Sequence, residues 1–177
     1  MTLVPAAALE IRGIDGALLR PLAPAGAAGV LLFVATDCPV SNSYAPEIQR
    51  ICAAYAARGV SCSLIYEQPG IRPGAVRQHL EEYRYREISA AIDDAGKVAA
   101  AVQASVTPQA VVVDHGGVVR YRGRIDNLYA ALGKPRQVVT SHDLRDALDA
   151  IVSGRPVARP ETEALGCFIA PPAGRRK

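Results

Sequence analysis

One stretch constrains this 177-residue chain more than any other: the unbroken apolar run Gly29-Val-Leu-Leu-Phe-Val-Ala35, which stops abruptly at Thr36-Asp37-Cys38-Pro39. A run of this kind suits a strand covered on both faces, as parallel strands are. It falls far short of the ~20 residues a membrane-spanning helix needs. The period then changes. From Ser41 to about Arg58, the apolar residues Tyr44, Ile48, Ile51, Cys52 and Tyr55 recur at spacings of three and four, which predicts one face of a helix stopped by Gly59 and kinked at Pro46. Cys38 therefore stands where a buried strand ends and a helix begins.

The pattern continues as alternating elements. Residues 60–66 read as a second buried strand and 73–85 as a helix with Pro73 in its first turn. Residues 88–92 predict a short strand, and an Ala-rich helix runs from the Asp94-Ala95-Gly96 turn to about Ala104. Residues 110–113 and 118–122, joined by Asp114-His115-Gly116-Gly117, predict a hairpin of β-branched strands. A last helix runs from Ser141 to Val152, with Thr140 or Ser141 as N-cap, and ends at Gly154. Ahead of all this, residues 9–11 and 17–19 flank Gly13-Ile14-Asp15-Gly16 as a small hairpin. A βαβ unit followed by a helix, a hairpin and a closing helix makes a mixed sheet covered on both faces. The expected organisation is one domain over 1–154 and a Pro-rich tail over 155–177 that carries Cys167 and packs on the domain.

Charge narrows the partners. The formal net charge of +3 is unevenly placed: residues 155–177 hold five Lys/Arg and two Asp/Glu, which leaves 15 of each sign in the body. A neutral body without aromatics interleaved among basic residues offers no track for nucleic-acid phosphates. The first residues lack a basic start and a long apolar middle, so a cytoplasmic location is expected, or a periplasmic one if a leader has been removed. The four cysteines, Cys38, Cys52, Cys62 and Cys167, are too few for a disulfide scaffold, and no paired Cys-x-x-Cys or His-x-x-x-His spacing implies zinc or another cofactor.

The segment Phe33-Val-Ala35-Thr-Asp-Cys38-Pro-Val-Ser41-Asn-Ser-Tyr-Ala45-Pro46 resembles the active-site strand and helix of thioredoxins, whose pattern is Phe-x-Ala-x-x-Cys-x-x-Cys followed by Ala-Pro. Val106-Thr107-Pro108 matches the cis-proline loop of that family, and Gly117-Val-Val-Arg-Tyr121-Arg-Gly123 its hairpin. More narrowly, Asp37-Cys-Pro-Val-Ser-Asn42, Tyr44-Ala-Pro-Glu47, Tyr121-Arg-Gly-Arg-Ile-Asp126 and Gly166-Cys167 are similar to bacterial redoxin-domain proteins, grouped with the alkyl hydroperoxide reductase and thiol-specific antioxidant branch. The resemblance implies an α/β, thioredoxin-like three-layer α/β/α sandwich with a central mixed sheet and an N-terminal β-hairpin extension. It also implies a redox-active Cys38, and a Thr107–Pro108 loop that presents backbone groups to an extended substrate by strand addition.

The residues support a chemistry of their own. A cysteine at a helix N-terminus meets unpaired N–H groups and the positive end of the helix dipole, which favour the thiolate. Pro39 is preorganised for the first helical position, the Ser41 hydroxyl is a further donor, and the Asp37 carboxylate opposes the charge. Ser41 stands where a dithiol enzyme has its second cysteine, so the local centre is a single thiol. Three uses remain: exchange with an external thiol, peroxide reduction through a sulfenic acid, or exchange with a distant cysteine of the same chain. Cys167, in the apolar island Leu165-Gly-Cys-Phe-Ile169, is the candidate for the last, and its alternative is an apolar anchor that never meets Cys38. Cys52 and Cys62 read as core.

The candidate site is therefore Cys38, Ser41 and Cys167 for the chemistry, with Thr36, Pro39, Thr107 and Pro108 along the substrate's approach. Its partners would be protein or small-molecule thiols and disulfides, or peroxide. A peroxidase site resembles Pro-x-x-x-Thr-x-x-Cys, but here Ala35 and Leu31 hold those places, and Thr36 falls on the opposite face of the strand. A non-catalytic alternative is a binding module for a protein, or for a soft metal held by Cys38 and Cys167. Arg120, Arg122 and Arg124 share one strand face, as an anion stripe or a solvated surface, and His79, His115 and His142 are expected to be exposed.

Overall fold

The computed structural model describes residues 9–169. It opens on an antiparallel pair, β1 (Ile11–Arg12) and β2 (Leu18–Leu19). The apolar run follows as β3 (Ala28–Val34), every residue of which is buried. Helices α1 (Pro39–Ser43) and α2 (Ala45–Ala56) lead to β4 (Val60–Tyr66), α3 (Pro73–Glu82), β5 (Ser89–Ile92) and α4 (Lys97–Val102). Then come β6 (Val106–Thr107), β7 (Gln109–Asp114), β8 (Val119–Gly123), a small hairpin of β9 (Tyr129–Ala131) and β10 (Lys134–Pro135), α5 (Asp143–Val152) and β11 (Cys167–Phe168). The central sheet has the order β5-β4-β3-β7-β8, with β3, β4 and β5 parallel and β7 and β8 antiparallel.

The period-two alternation of the strands divides the core. Val30, Leu32 and Val34 of β3 and Ala110 and Val112 of β7 pack with Ile48 and Ile51 of α2, Val76 of α3 and Leu144 and Leu148 of α5. Leu31, Phe33, Val111 and Val113 face the other way, onto Val98, Ala99 and Val102 of α4 and the N-terminal hairpin. This is the three-layer thioredoxin-like arrangement. Each fully buried Leu, Ile or Val contributes about 1.5–3 kcal/mol relative to exposure, so β3 and β7, both buried along their whole length, anchor the core.

Two local expectations are corrected, and one element is new. The helix expected over 41–58 is two helices meeting at Tyr44, because Pro46 has no N–H to continue the ladder, and Tyr44 closes α1 on the carbonyls of Ser41 and Asn42. Neither Thr140 nor Ser141 caps α5. Its N-cap is His142, while the Ser141 hydroxyl donates to the Asp143 carboxylate and the Thr140 hydroxyl accepts from Asn127 Nδ2. The β9–β10 hairpin, turned by Gly133 at φ +70°, was not foreseen, since Tyr129–Ala131 is too short to show a period.

The chain after α5 returns along the edge of β8. Arg122 N–H donates to Pro160 C=O at 2.9 Å and Thr162 N–H to Arg122 C=O at 3.1 Å, while Tyr121 Oη lies 2.7 Å from Thr162 Oγ1. A β-carbon on Gly123 would collide with Thr162, so the glycine is what lets this segment lie flat on the strand. An otherwise open sheet edge is thereby covered.

Candidate active site

Cys38 lies just beyond the end of β3, 0 % exposed, as the N-cap of α1, with Pro39 in the first helical turn. Ser41 N–H donates to its Sγ at 3.5 Å, and the thiol donates to the Thr107 carbonyl at 3.2 Å. The Ser41 hydroxyl does not serve the sulfur: buried, it accepts from Ala35 N–H at 3.3 Å and fastens the end of the strand to the helix. In a dithiol site a second sulfur would stand here; in this chain the position holds backbone in place.

The second sulfur comes from the tail. β11 pairs antiparallel with β6, Cys167 opposite Thr107 and Phe168 opposite Val106. Ile169 N–H adds a bond to Ser105 C=O at 2.9 Å, and the Thr107 hydroxyl reaches the Cys167 carbonyl at 3.5 Å. The peptide between Thr107 and Pro108 is cis. Gly166 sits directly on the Thr107 carbonyl, where a β-carbon would overlap it, so this residue has to be glycine for the strand to close. The result is a Cys167 Sγ to Cys38 Sγ separation of 2.7 Å, with both cysteines unbonded. A disulfide bond is ~2.05 Å long, so a small movement joins them. Cys167 itself is exposed. Desolvation against the domain, its hydrogen bond to Cys38 and the nearby Cys38 and Asp37 charges push its thiol up to about 11.

The turn beneath the pair is held by two polar networks that the sequence did not disclose. Gln68 accepts from Thr36 N–H at 2.8 Å, exchanges hydrogen bonds with the Thr36 hydroxyl, and donates to Asp37 Oδ1 at 2.9 Å. The Thr36 side chain, expected along the substrate's approach, is engaged with Gln68. Asn42 donates to Thr36 C=O at 3.0 Å, its Oδ1 lies 2.9 Å from His79 Nε2, and His79 Nδ1 lies 2.8 Å from Tyr66 Oη. His79 is 3 % exposed, against the expectation of exposure, and burial lowers its pKa. Its spacing of three from Val76, on the apolar face of α3, was the available signal. A neutral ring donating from Nε2 and accepting at Nδ1 satisfies every partner. His115 and His142 are exposed.

The remaining candidates separate from this centre. Cys52 on α2 and Cys62 on β4 lie in and against the core as expected, and are joined to each other by a disulfide. The three arginines form no free stripe: Arg120 pairs with Asp114, Arg122 with Glu161, and Arg124 with Asp143. Among the described residues, no three His, Cys, Asp or Glu side chains gather to hold a metal, and no helix is long and apolar enough to cross a membrane.

Two of the cavities bordered by the tail lie on either side of Cys167. One, of about 520 Å³, lies between Pro108, Tyr44, Asp126, Tyr129 and Leu165. Tyr44 Oη donates to Asp126 Oδ1 at 2.7 Å in its wall. The other, of about 270 Å³, is lined by Asp37, Glu67, Thr107, Cys167 and Phe168. Glu67 is 9 % exposed and its Oε1 has no hydrogen-bond partner. Desolvation by burial, then a hydrogen bond to Asp93 and the Asp93 charge, raise its carboxyl to about 9, so it is neutral at physiological pH.

No family model matches this sequence, and no curated protein matches it closely. Solved structures do. An uncharacterized conserved protein from Geobacillus kaustophilus superposes with a TM-score of 0.79 at 28 % identity, over 91 % of this chain and 87 % of that one. A hypothetical protein from Sinorhizobium meliloti does so with a TM-score of 0.82 at 24 % identity, over 98 % and 97 %. A secreted Mycobacterium tuberculosis disulfide oxidoreductase homologous to E. coli DsbE aligns with a TM-score of 0.57 at 19 % identity, over 82 % and 95 %. The fold is thioredoxin-like.

Proposed function

We propose that this chain is a thiol–disulfide oxidoreductase whose redox pair is Cys38 and Cys167. The observation that carries the reading is the 2.7 Å between the two sulfurs, one on the helix start and the other on a tail strand seated against Thr107. In the reduced chain, the Cys38 thiolate attacks a substrate disulfide, forming a mixed disulfide and releasing one substrate thiolate. Cys167 then attacks the Cys38 sulfur, releasing the second thiolate and leaving a Cys38–Cys167 disulfide. Two electrons pass to the substrate. β11 occupies the edge along which an extended substrate would add, so the substrate takes that edge when the tail lifts. Thr107 and Pro108 then position the incoming chain, and Pro39 and Ser41 hold the helix start.

The similar structures support the same reading, since they include a putative thiol:disulfide interchange protein from Chlorobium tepidum. A structural Cys52–Cys62 disulfide suits an oxidising compartment, which favours the periplasmic of the two expected locations. The test is mild oxidation of the full chain followed by non-reducing peptide mapping: a Cys38–Cys167 cross-link is expected, and Cys167→Ser should accumulate a mixed disulfide with substrate through Cys38. Two free thiols after oxidation would sink the reading.

A further inference from the structure

The two sulfurs of the proposed pair are not equivalent to a molecule arriving from solvent. Cys38 is 0 % exposed, closed in by the Thr107 carbonyl and by Cys167 itself, whereas Cys167 is exposed on a two-residue strand. Exchange proceeds by attack of a nucleophile on one sulfur with departure of the other, and access decides which sulfur is attacked. The departing sulfur matters as well. If Cys38 leaves, it keeps its place as N-cap of α1, with Ser41 N–H directed at it, and nothing in the domain has to move. If Cys167 leaves, the attacker must first have reached a sulfur with no exposed surface.

We propose that an external thiol reduces the oxidised domain by attacking Cys167 and not Cys38, so that the tail strand is the electron-receiving element of the molecule. This rests on the Cys38–Cys167 reading above. The step balances as R–S⁻ plus Cys167–S–S–Cys38 giving R–S–S–Cys167 plus Cys38–S⁻. A second donor thiolate then attacks the R sulfur, releases Cys167–S⁻ and leaves the donor as its disulfide, two electrons having entered the protein. The donor is a dithiol or two monothiols.

The geometry links this step to the next one. The donor is attached to β11, which the domain holds through the β6 ladder, the Ile169 N–H and the seat of Gly166 on Thr107. When β11 moves away with its mixed disulfide, the Thr107 edge is bared and Cys38 is uncovered as a thiolate. Donor and disulfide substrate therefore meet different parts of the protein, one at the tail and the other at the helix start.

Sulfite tests the order, because it cleaves a disulfide by the same attack and marks the sulfur it strikes as an S-sulfonate while the other departs as a thiolate. The oxidised full chain, first mapped to verify the Cys38–Cys167 cross-link, is treated with sulfite and iodoacetamide under native conditions and mapped again. The expected product carries S-sulfonate on Cys167 and carbamidomethyl on Cys38, in roughly tenfold excess over the reverse. The core Cys52–Cys62 disulfide should stay intact as an internal control. Sulfonate on Cys38, an even split, or no cleavage without denaturant would overturn the proposal while leaving the redox pair standing. Absence of the starting cross-link would overturn both.

Discussion

Cys52 and Cys62 stand ten residues apart and join α2 to β4, two elements that pack on each other in the core. Cys38 and Cys167 stand 129 residues apart and, unbonded, meet where the helix start faces a strand of two residues laid on from outside. The first pair links partners with no other place to be, so opening it exposes core. The second links the domain to a segment held by few contacts, and local release of such a segment costs much less than global unfolding. If Cys38 and Cys167 are the redox pair proposed above, what separates them from the staple is that one partner lies on a short outer strand able to lift. The two glycines of the tail's path show where it is seated: neither Gly123 nor Gly166 has room for a β-carbon, because Thr162 presses on β8 at one and the Thr107 carbonyl closes on the other.

The largest effect that could break this contrast is on activity. Cys38→Ser should lower the reduction of a disulfide substrate, followed with dithiothreitol as donor, by roughly 10³-fold or more, since the attacking sulfur is gone. Cys52→Ala with Cys62→Ala should leave the same rate within about twofold, because neither residue touches the exchanging atoms. If both changes reduced activity alike, the division between staple and centre would fail.

Stability should respond in the opposite sense. By loop-closure entropy, removing a cross-link across ten residues costs about 2.7 kcal/mol. In a chain of this size that is a fall of roughly 8 °C in Tm for the Cys52→Ala, Cys62→Ala variant, measured by calorimetry. Cys38→Ser, which removes no bond from the reduced fold, should shift Tm by a small fraction of that.

How much of this was legible beforehand follows from the range of each interaction. The strand, the helix start at Cys38 and the Thr107–Pro108 loop are local patterns, and all three stand where periodicity and the thioredoxin-like spacing put them. The break at Tyr44 was half visible, because Pro46 announces a lost hydrogen bond but not which residue absorbs it. His79 was misread because a lone histidine on a helix has no local mark of burial beyond its spacing from Val76. The contacts of Gln68 with Thr36 and of Glu67 with Asp93, and the pairing of β11 on β6, join residues tens of positions apart, and no short-range pattern records them. The Cys52–Cys62 bond escaped for a related reason: each cysteine fits its own helix or strand face as an apolar residue, and only the packing of α2 on β4 brings the two faces together.

A smaller effect should come from the glycine that seats the tail. Gly166→Ala adds a β-carbon that overlaps the Thr107 carbonyl, so β11 can no longer approach β6 as closely. The core is untouched, and Tm should change by less than the disulfide variant's shift. The rate of Cys38–Cys167 cross-linking under mild oxidant should fall by about tenfold, since misplacing reacting groups by an ångström can cost as much or more. Cross-linking at the wild-type rate would mean that the tail does not need this seat, and that the contrast between a docked and a built-in partner has been drawn too strongly.

The smallest expected change tests what lies beneath the docked strand. Glu67 lines the same cavity as Thr107 and Cys167, and its carboxyl, raised to about 9 by burial and by Asp93, keeps its proton in the fold while an unfolded chain loses it near 4.5. Because the folded state binds the extra proton across that interval, stability from this group is full below pH 4.5, declines as pH rises, and is gone above about 9. Glu67→Gln keeps the shape and removes the titration. At pH 8 the variant should melt several degrees higher, the direction that a carboxyl raised from 4.5 to about 9 requires, while at pH 4 the two should nearly coincide, as calorimetry at the two pH values measures. A difference that stays constant across this range would mean that Glu67 is ionised in the fold, and the floor under β11 would then carry a negative charge beneath the Cys167 thiol.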